Sequence, residues 1–252
     1  MNKLLLFLVV PLLIAGSCTG EKQADKKILI YTRNGEGYVH ENIPFCVAAL
    51  KKICQSEGIA FEVSDDPDLF TAHNLANYDA VVFANTNNEA FVSEDQRKAF
   101  QDYIRSGKGF AAIHSANASE RDWPWYWAMV GGKFIRHAPY QEFDVVVTDK
   151  DHPSTSPLPL RRSVEDECYY SYHLNPDIHV LLSADLATVE DEGKAEYPGE
   201  TFGNLFPLSW CHEFEGGRQW YTALGHNPEF YEDPVFTAHL RGGLLWVLRT
   251  ES

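Results

Sequence analysis

Three of the chain's ten histidines fall where a strand-like run gives way to a loop: His40, His114 and His226. A fourth, His137, follows a Gly131-Gly132 turn. Imidazoles that converge on one place can move protons near neutral pH, hold a metal ion or hydrogen-bond sugar hydroxyls. His40 reads equally well as an ordinary residue at a helix start. His73, His152, His179, His212 and His239 read as surface or core residues. No HExxH or comparably tight ligand spacing occurs, so any metal site would have to be assembled by the fold. The sequence therefore assigns no metal ligand and no cofactor, and a divalent ion stays an alternative.

Carboxylates add to this set. Asp166-Glu167 stands beside Tyr169, and a desolvated or shared carboxyl there could serve as general acid or base. With Glu165 adjacent, the same run also reads as a solvated acidic turn. Gly109-Phe-Ala-Ala-Ile-His114-Ser115-Ala116 is a strand entering a tight turn, where an elbow nucleophile would stand, but no GxSxG pattern is present. Nucleophilic catalysis would need Ser115, with His226 as base and Glu229 as orienter. Trp123-Pro-Trp125-Tyr126-Trp127 could form a sugar platform; a helix packing its rings on the core is the plainer reading.

These side chains need a scaffold, and the apolar pattern supplies one. Strands are expected at Lys27–Tyr31, 59–63, 78–84 and 109–113, with helices at about 41–56 and from Ser93 onward. Ile43, Val47, Leu50 and Cys54 fall on one helical face, and Gly58 ends that helix. Ser93-Glu-Asp-Gln96 has the spacing of a capping box. The strands are continuous apolar runs, as expected where both faces are covered. Strand and helix alternation argues for an α/β fold, an open and mostly parallel sheet flanked by helices. In such sheets ligands bind beyond the carboxyl ends of the strands, where the histidines fall. The second half is less regular, with strands expected at 143–148, 178–183 and 219–224, an acidic loop at 188–199 and a last helix at 235–248. No repeat or long linker divides the chain, so one domain is expected over 27–252.

The first residues read as an address. Lys3 precedes an uncharged run from Leu4 to Ala15, too short to span a bilayer as a helix. It ends Ala15-Gly16-Ser17-Cys18, which resembles a bacterial lipobox although Ala15 stands where Leu is usual. The expectation is a signal peptide over 1–17, lipidation of Cys18, and a polar tether over 18–26. The mature chain would hold 252 − 17 = 235 residues, exported and anchored by lipid on the periplasmic side or cell surface. The remaining cysteines show no CxxC or zinc-ribbon spacing. Cys46 and Cys54, eight positions apart on one helix, lie about 12 Å apart along its axis, too far for a bridge. A formal net charge of −15 sets nucleic-acid binding aside.

The first strand with its His40 loop, Gly109 to Ala116, Gly131-Gly-Lys-Phe134 with His137, Asp151-His-Pro153, Asp166-Glu-Cys-Tyr169, Pro207-Leu-Ser-Trp210 and Tyr221-Thr-Ala-Leu-Gly-His226 form a series along the chain. Together they resemble the ThuA-like (trehalose utilisation) family, whose fold is similar to the class I glutamine amidotransferase domain. The likeness spans roughly residues 27–249. It implies His114, His226 and Glu167 as catalytic residues, and His40, His137, Tyr169 and Trp210 as substrate-binding ones, with the Trp210 ring offering an apolar face to a pyranose. Amidotransferases place a cysteine at the elbow. Here His114 stands in its neighbourhood, and His226-Asn-Pro-Glu229 echoes their His-Pro-Glu motif with one residue inserted. Without that thiolate, glutamine hydrolysis has no nucleophile. The expected function is acid/base processing of a sugar or keto-sugar, as isomerase, lyase or hydrolase. The alternatives are a non-catalytic carbohydrate-binding lipoprotein and a metal-dependent hydrolase. A small-molecule carbohydrate is the expected partner, and oligomeric state is left open.

Overall fold

The computed structural model describes residues 26–193 and 203–250. The Cys18 lipobox, most of the tether and the 194–199 part of the acidic loop lie outside the described residues.

In chain order the elements are β1 (Lys27–Tyr31), α1 (Ile43–Glu57), β2 (Ala60–Ser64), α2 (Ala72–Leu75), β3 (Ala80–Ala84), α3 (Glu94–Arg105), β4 (Gly109–Ile113), α4 (Pro124–Val130), β5 (Lys133–His137), β6 (Gln141–Val147), β7 (Arg161–Asp166), β8 (Tyr169–Tyr172), β9 (His179–Asp185), β10 (Leu205–Phe214), β11 (Gly217–Thr222) and α5 (Pro234–Val247). Nine strands form one sheet in the order β2-β1-β3-β4-β11-β10-β9-β6-β7. The five from β2 to β11 run parallel. From β10 onward every pairing is antiparallel. Strands β5 and β8 pair separately as a two-stranded ribbon.

The expected open α/β sheet with flanking helices is the fold observed. β3 and β4 are buried throughout, since strands lie on both their edges and helices cover their faces. The edge strand β2 shows the opposite pattern, with no fully buried residue. Periodicity did not reveal β5, β7, β8 and β10: their residues alternate or mix polar and apolar types, and what holds them is pairing with distant partners.

Helix α3 begins at its capping box, with the return bond displaced by one residue. Ser93 Oγ accepts from Gln96 N at 3.3 Å, while Gln96 Oε1 reaches back to Val92 N. Helix α1 carries Pro44 in its first turn and packs Cys46, Leu50, Ile53 and Cys54 inward. Its first residue is preceded by Asn42, whose side chain makes no cap and points instead into the functional region. The four cysteines after Cys18 are free and buried.

Two buried histidines, His212 and His239, set an acid limit on stability. Burial pulls the pKa of His212 and of His239 down from 6.5 to about 4. Between those values the unfolded chain takes up protons that the folded chain refuses, so stability falls as pH drops through that window. His239 Nδ1 lies 2.9 Å from Ser154 O. Asn at position 239 keeps a donor there without a titrating ring. His239→Asn is expected to flatten the decline in Tm between pH 6.5 and 4; parallel Tm profiles for parent and variant would refute this.

Candidate active site

Segments that leave the carboxyl ends of four parallel strands (β1, β3, β4 and β11) meet β5 and the β7–β8 connection at one end of the sheet. They enclose a cavity of about 410 Å³ lined by Tyr38, His40, Asn87, Ser115, Ala118, Arg121, Phe134, His137, Glu167, Tyr169 and His226. Of the expected site residues, His40, His137, Glu167, Tyr169 and His226 line it, and His114 lies directly behind them.

His114 is the first residue after β4, with a left-handed φ of 52°. A non-glycine residue there is strained, and it persists only where its surroundings over-determine it. They do: Tyr221 Oη donates to the His114 carbonyl at 3.0 Å, and the ring is held at both nitrogens. Nδ1 lies 2.7 Å from Ala223 O, so it carries the proton. Burial, reinforced by the neighbouring His40, pushes the His114 pKa well down, leaving the ring neutral. Its Nε2 lone pair then accepts from Tyr169 Oη at 2.9 Å. Burial raises the Tyr169 pKa well above its usual value, so this hydroxyl stays a donor.

Glu167 is the centre of the cluster. Its Oε2 lies 3.1 Å from His226 Nδ1 and 3.8 Å from His114 Nε2, and its Oε1 lies 3.5 Å from His137 Nε2. The Glu167–His226 approach is close but poorly aligned for a hydrogen bond, since His226 Nδ1 is left without one. The carboxylate nevertheless raises the His226 pKa. His40 behaves oppositely: burial and the neighbouring His226 bring it down from 6.5 to about 4. The pocket thus holds neutral imidazoles at its base and a carboxylate beside a more basic imidazole at its mouth.

The Asp166-Glu167 pair divides its labour. Asp166 is fully buried and accepts from Gly225 N at 2.7 Å, Glu167 N at 2.8 Å and His226 N at 3.2 Å. Burial raises its pKa to about 7 against the pull of those three N–H groups. Asp166 therefore positions backbone, while Glu167 faces the cavity. The reading of a solvated acidic turn holds for Glu165, which is exposed, and fails for its two neighbours. Asn42 reinforces the same segment, donating to Gly225 O at 2.6 Å and His226 O at 3.0 Å, which explains why it leaves the α1 terminus uncapped. Gly225 has a φ of 116°, and a Cβ there would lie 2.7 Å from Tyr231 Oη. Only glycine fits this turn, and the turn is what aims His226.

Trp210 is not brought to the cavity. It is 1% exposed, its Nε1 donates to Val130 O at 2.8 Å, and it packs on Tyr221. On β10 its ring fills the core between the sheet and the 130–132 turn and offers no face to a ligand. Aromatic faces at the cavity come instead from Tyr38 and Phe134. The Trp123–Trp127 run packs as expected: Trp123, Trp125 and Trp127 sit against the core. The Ser115 triad does not assemble either. Ser115 lines the cavity, but its buried hydroxyl has no hydrogen-bond partner, and Glu229 is exposed. The carboxylate beside His226 is Glu167.

Sequence reasoning missed Tyr38, Asn87, Arg121 and the support from Asn42. Asn87 had a usable signal, because Asn85-Thr86-Asn87-Asn88 follows a strand just as His40 does. Arg121 had none; it reaches the cavity from the loop beyond the elbow, with Nη2 3.4 Å from Asn87 Oδ1.

An open α/β sheet with the elbow at the end of a central strand defines the class I glutamine amidotransferase-like fold. A glutamine amidotransferase from Thermotoga maritima shares it, with a TM-score of 0.52 at 11% identity over 90% of this chain and 99% of that one. The chain belongs to the ThuA family, described as trehalose utilisation, whose profile matches residues 27–247. A ThuA-like protein from Bacteroides uniformis superimposes with a TM-score of 0.70 at 24% identity, over 88% of this chain and 91% of that one. A second, from Parabacteroides merdae, gives 0.66 at 20% identity, over 89% and 90%. No curated protein matches the chain. Among the described residues no cysteine lines the cavity, and burial raises the thiol pKa values of Cys46, Cys168 and Cys211 to about 12. Thiolate chemistry of the amidotransferase kind has no donor there.

Proposed function

We propose that the protein processes a sugar or keto-sugar by acid/base chemistry, with Glu167 and His226 as the proton-transferring pair. The observation that carries this reading is Glu167, which lies within 3.8 Å of nitrogens from three imidazoles at the edge of a cavity of about 410 Å³. In a keto-sugar the C–H next to the carbonyl is acidic enough for a carboxylate to remove, provided an acid supplies a proton to the carbonyl oxygen. Glu167 takes the role of base and His226, whose pKa that carboxylate raises, the role of acid. The resulting enol can be reprotonated on the neighbouring carbon, giving an isomer, or can expel an oxygen substituent, giving a lyase. Neither route needs a covalent nucleophile. The rings of Tyr38 and Phe134 offer apolar faces to a pyranose, and Asn87 and Arg121 offer donors to its hydroxyls.

Export on a Cys18 lipid anchor completes the proposal and would place this site where glycans are met outside the cytoplasm. Among the described residues no helix is long and apolar enough to cross a membrane.

The test is an NMR screen of disaccharides and their keto derivatives against the parent protein and His226→Ala. Product from the parent and a loss of about 10²-fold or more in the variant are expected. Equal turnover by the two proteins would refute the assignment. Saturable sugar binding with no product from the parent would establish the binding-only alternative in its place.

A further inference from the structure

We propose that His40, His114 and His226 together form a binding site for one divalent cation of the zinc class, with Glu167 at its edge. One ring nitrogen from each of the three lies within 4.8 Å of the others. The three rings cross at steep angles, 87° for His40 and His114, 81° for His40 and His226, and 65° for His114 and His226. Such an arrangement turns ring edges toward a common point. Stacked rings would present their faces.

The protons are arranged to suit a cation. His114 Nδ1 is committed to Ala223 O, so the nitrogen left for the cluster is Nε2, which faces Glu167 Oε2 at 3.8 Å. His40 is 6% exposed, and its buried Nδ1 has no hydrogen-bond partner. A buried polar atom left so is costly unless something absent from the polypeptide satisfies it. Glu167, 3.1 Å from His226 Nδ1, stands where carboxylates orient metal-bound histidines.

Three imidazoles and an open fourth position are the ligand set of a catalytic zinc site, with Zn–N near 2.0–2.1 Å. Closing nitrogens 4.8 Å apart onto one ion needs ring rotations of about 1 Å at the nitrogen. The Tyr169 hydroxyl would give up the Nε2 lone pair it now donates to. The ion site rests on this geometry. A bound ion would take over from His226 the polarising of a ketone oxygen while Glu167 takes the proton, a further role that rests on the keto-sugar reading above.

The test uses the whole chain, stripped with a chelator, dialysed and titrated with zinc chloride by calorimetry. Cobalt(II) chloride serves in parallel to record a coordination spectrum. One ion per chain is expected. His40→Ala and His226→Ala should each weaken binding by about 100-fold or more, and His73→Ala, at an exposed histidine, should leave it unchanged. If His40→Ala does not fold, the zinc-induced rise in Tm of the parent, lost in His226→Ala, decides the matter. No stoichiometric uptake, or uptake that survives both substitutions, overturns the proposal. Keto-sugar turnover that persists in chelator without zinc uptake would sink the ion site and leave the acid/base reading standing. Zinc uptake without any sugar chemistry would do the reverse.

Discussion

Glu167→Gln is expected to lower kcat for a keto-sugar by about 10²–10⁴-fold while KM changes by only a few-fold. Glutamine has nearly the same shape, and the backbone N–H of position 167 would keep its bond to Asp166. What is lost is the ability to take a proton and the negative charge beside His226. Glu167 is largely buried, so the substitution also tests folding; an amide among imidazoles can still hydrogen-bond, and only a small change in Tm is expected. Steady-state kinetics with the keto-sugar identified by the screen supply the measurement. A kcat within three-fold of the parent would remove Glu167 from the chemistry, and with it the core of the proposed function.

Gly131→Ala is expected to destabilise the fold by about 3–4 kcal/mol, through two costs that add. Gly131 closes α4 with a φ of 99°, where a side chain is strained. A Cβ there would also lie 2.2 Å from Trp210 Nε1 and 2.9 Å from Trp210 Cδ1. The indole cannot swing away, because it is buried and its Nε1 is bonded to Val130 O. The turn leads within a few residues into β5, which carries His137 to the cavity, so the damage should reach the site as well. Chemical denaturation reads the effect as a shift in midpoint at constant slope. A loss below about 1 kcal/mol would mean that Trp210 is looser than its packing implies, and would reopen a contact between its ring and a ligand.

Much of this architecture was legible because the information is local. The buried runs of β1, β3 and β4, the stripe on α1 and the capping box of α3 each depend on neighbours within about a dozen residues. The site was partly legible for a related reason. A residue just past the end of a parallel strand is aimed at the binding rim, so His40, His114 and His226 could be marked by position alone. Glu167 could be marked by type but not by direction. It is adjacent to Asp166, yet Asp166 turns inward to three backbone N–H groups while Glu167 faces three imidazoles. Trp210 shows the converse. An aromatic residue on β10 is suited equally to a ligand and to a core, and only the approach of Gly131 and Val130 decides for the core.

The polypeptide by itself determined the parallel half of the sheet, its helices and the family to which it belongs, since apolar period, caps and motif order are written along the chain. Tertiary structure alone decided which nitrogen of His114 carries a proton, which carboxylate stands beside His226, and that His40 belongs to the cluster at all. Those outcomes depend on hydrogen bonds and burial between segments up to 184 residues apart, such as Asn42 with His226, and no local pattern encodes them.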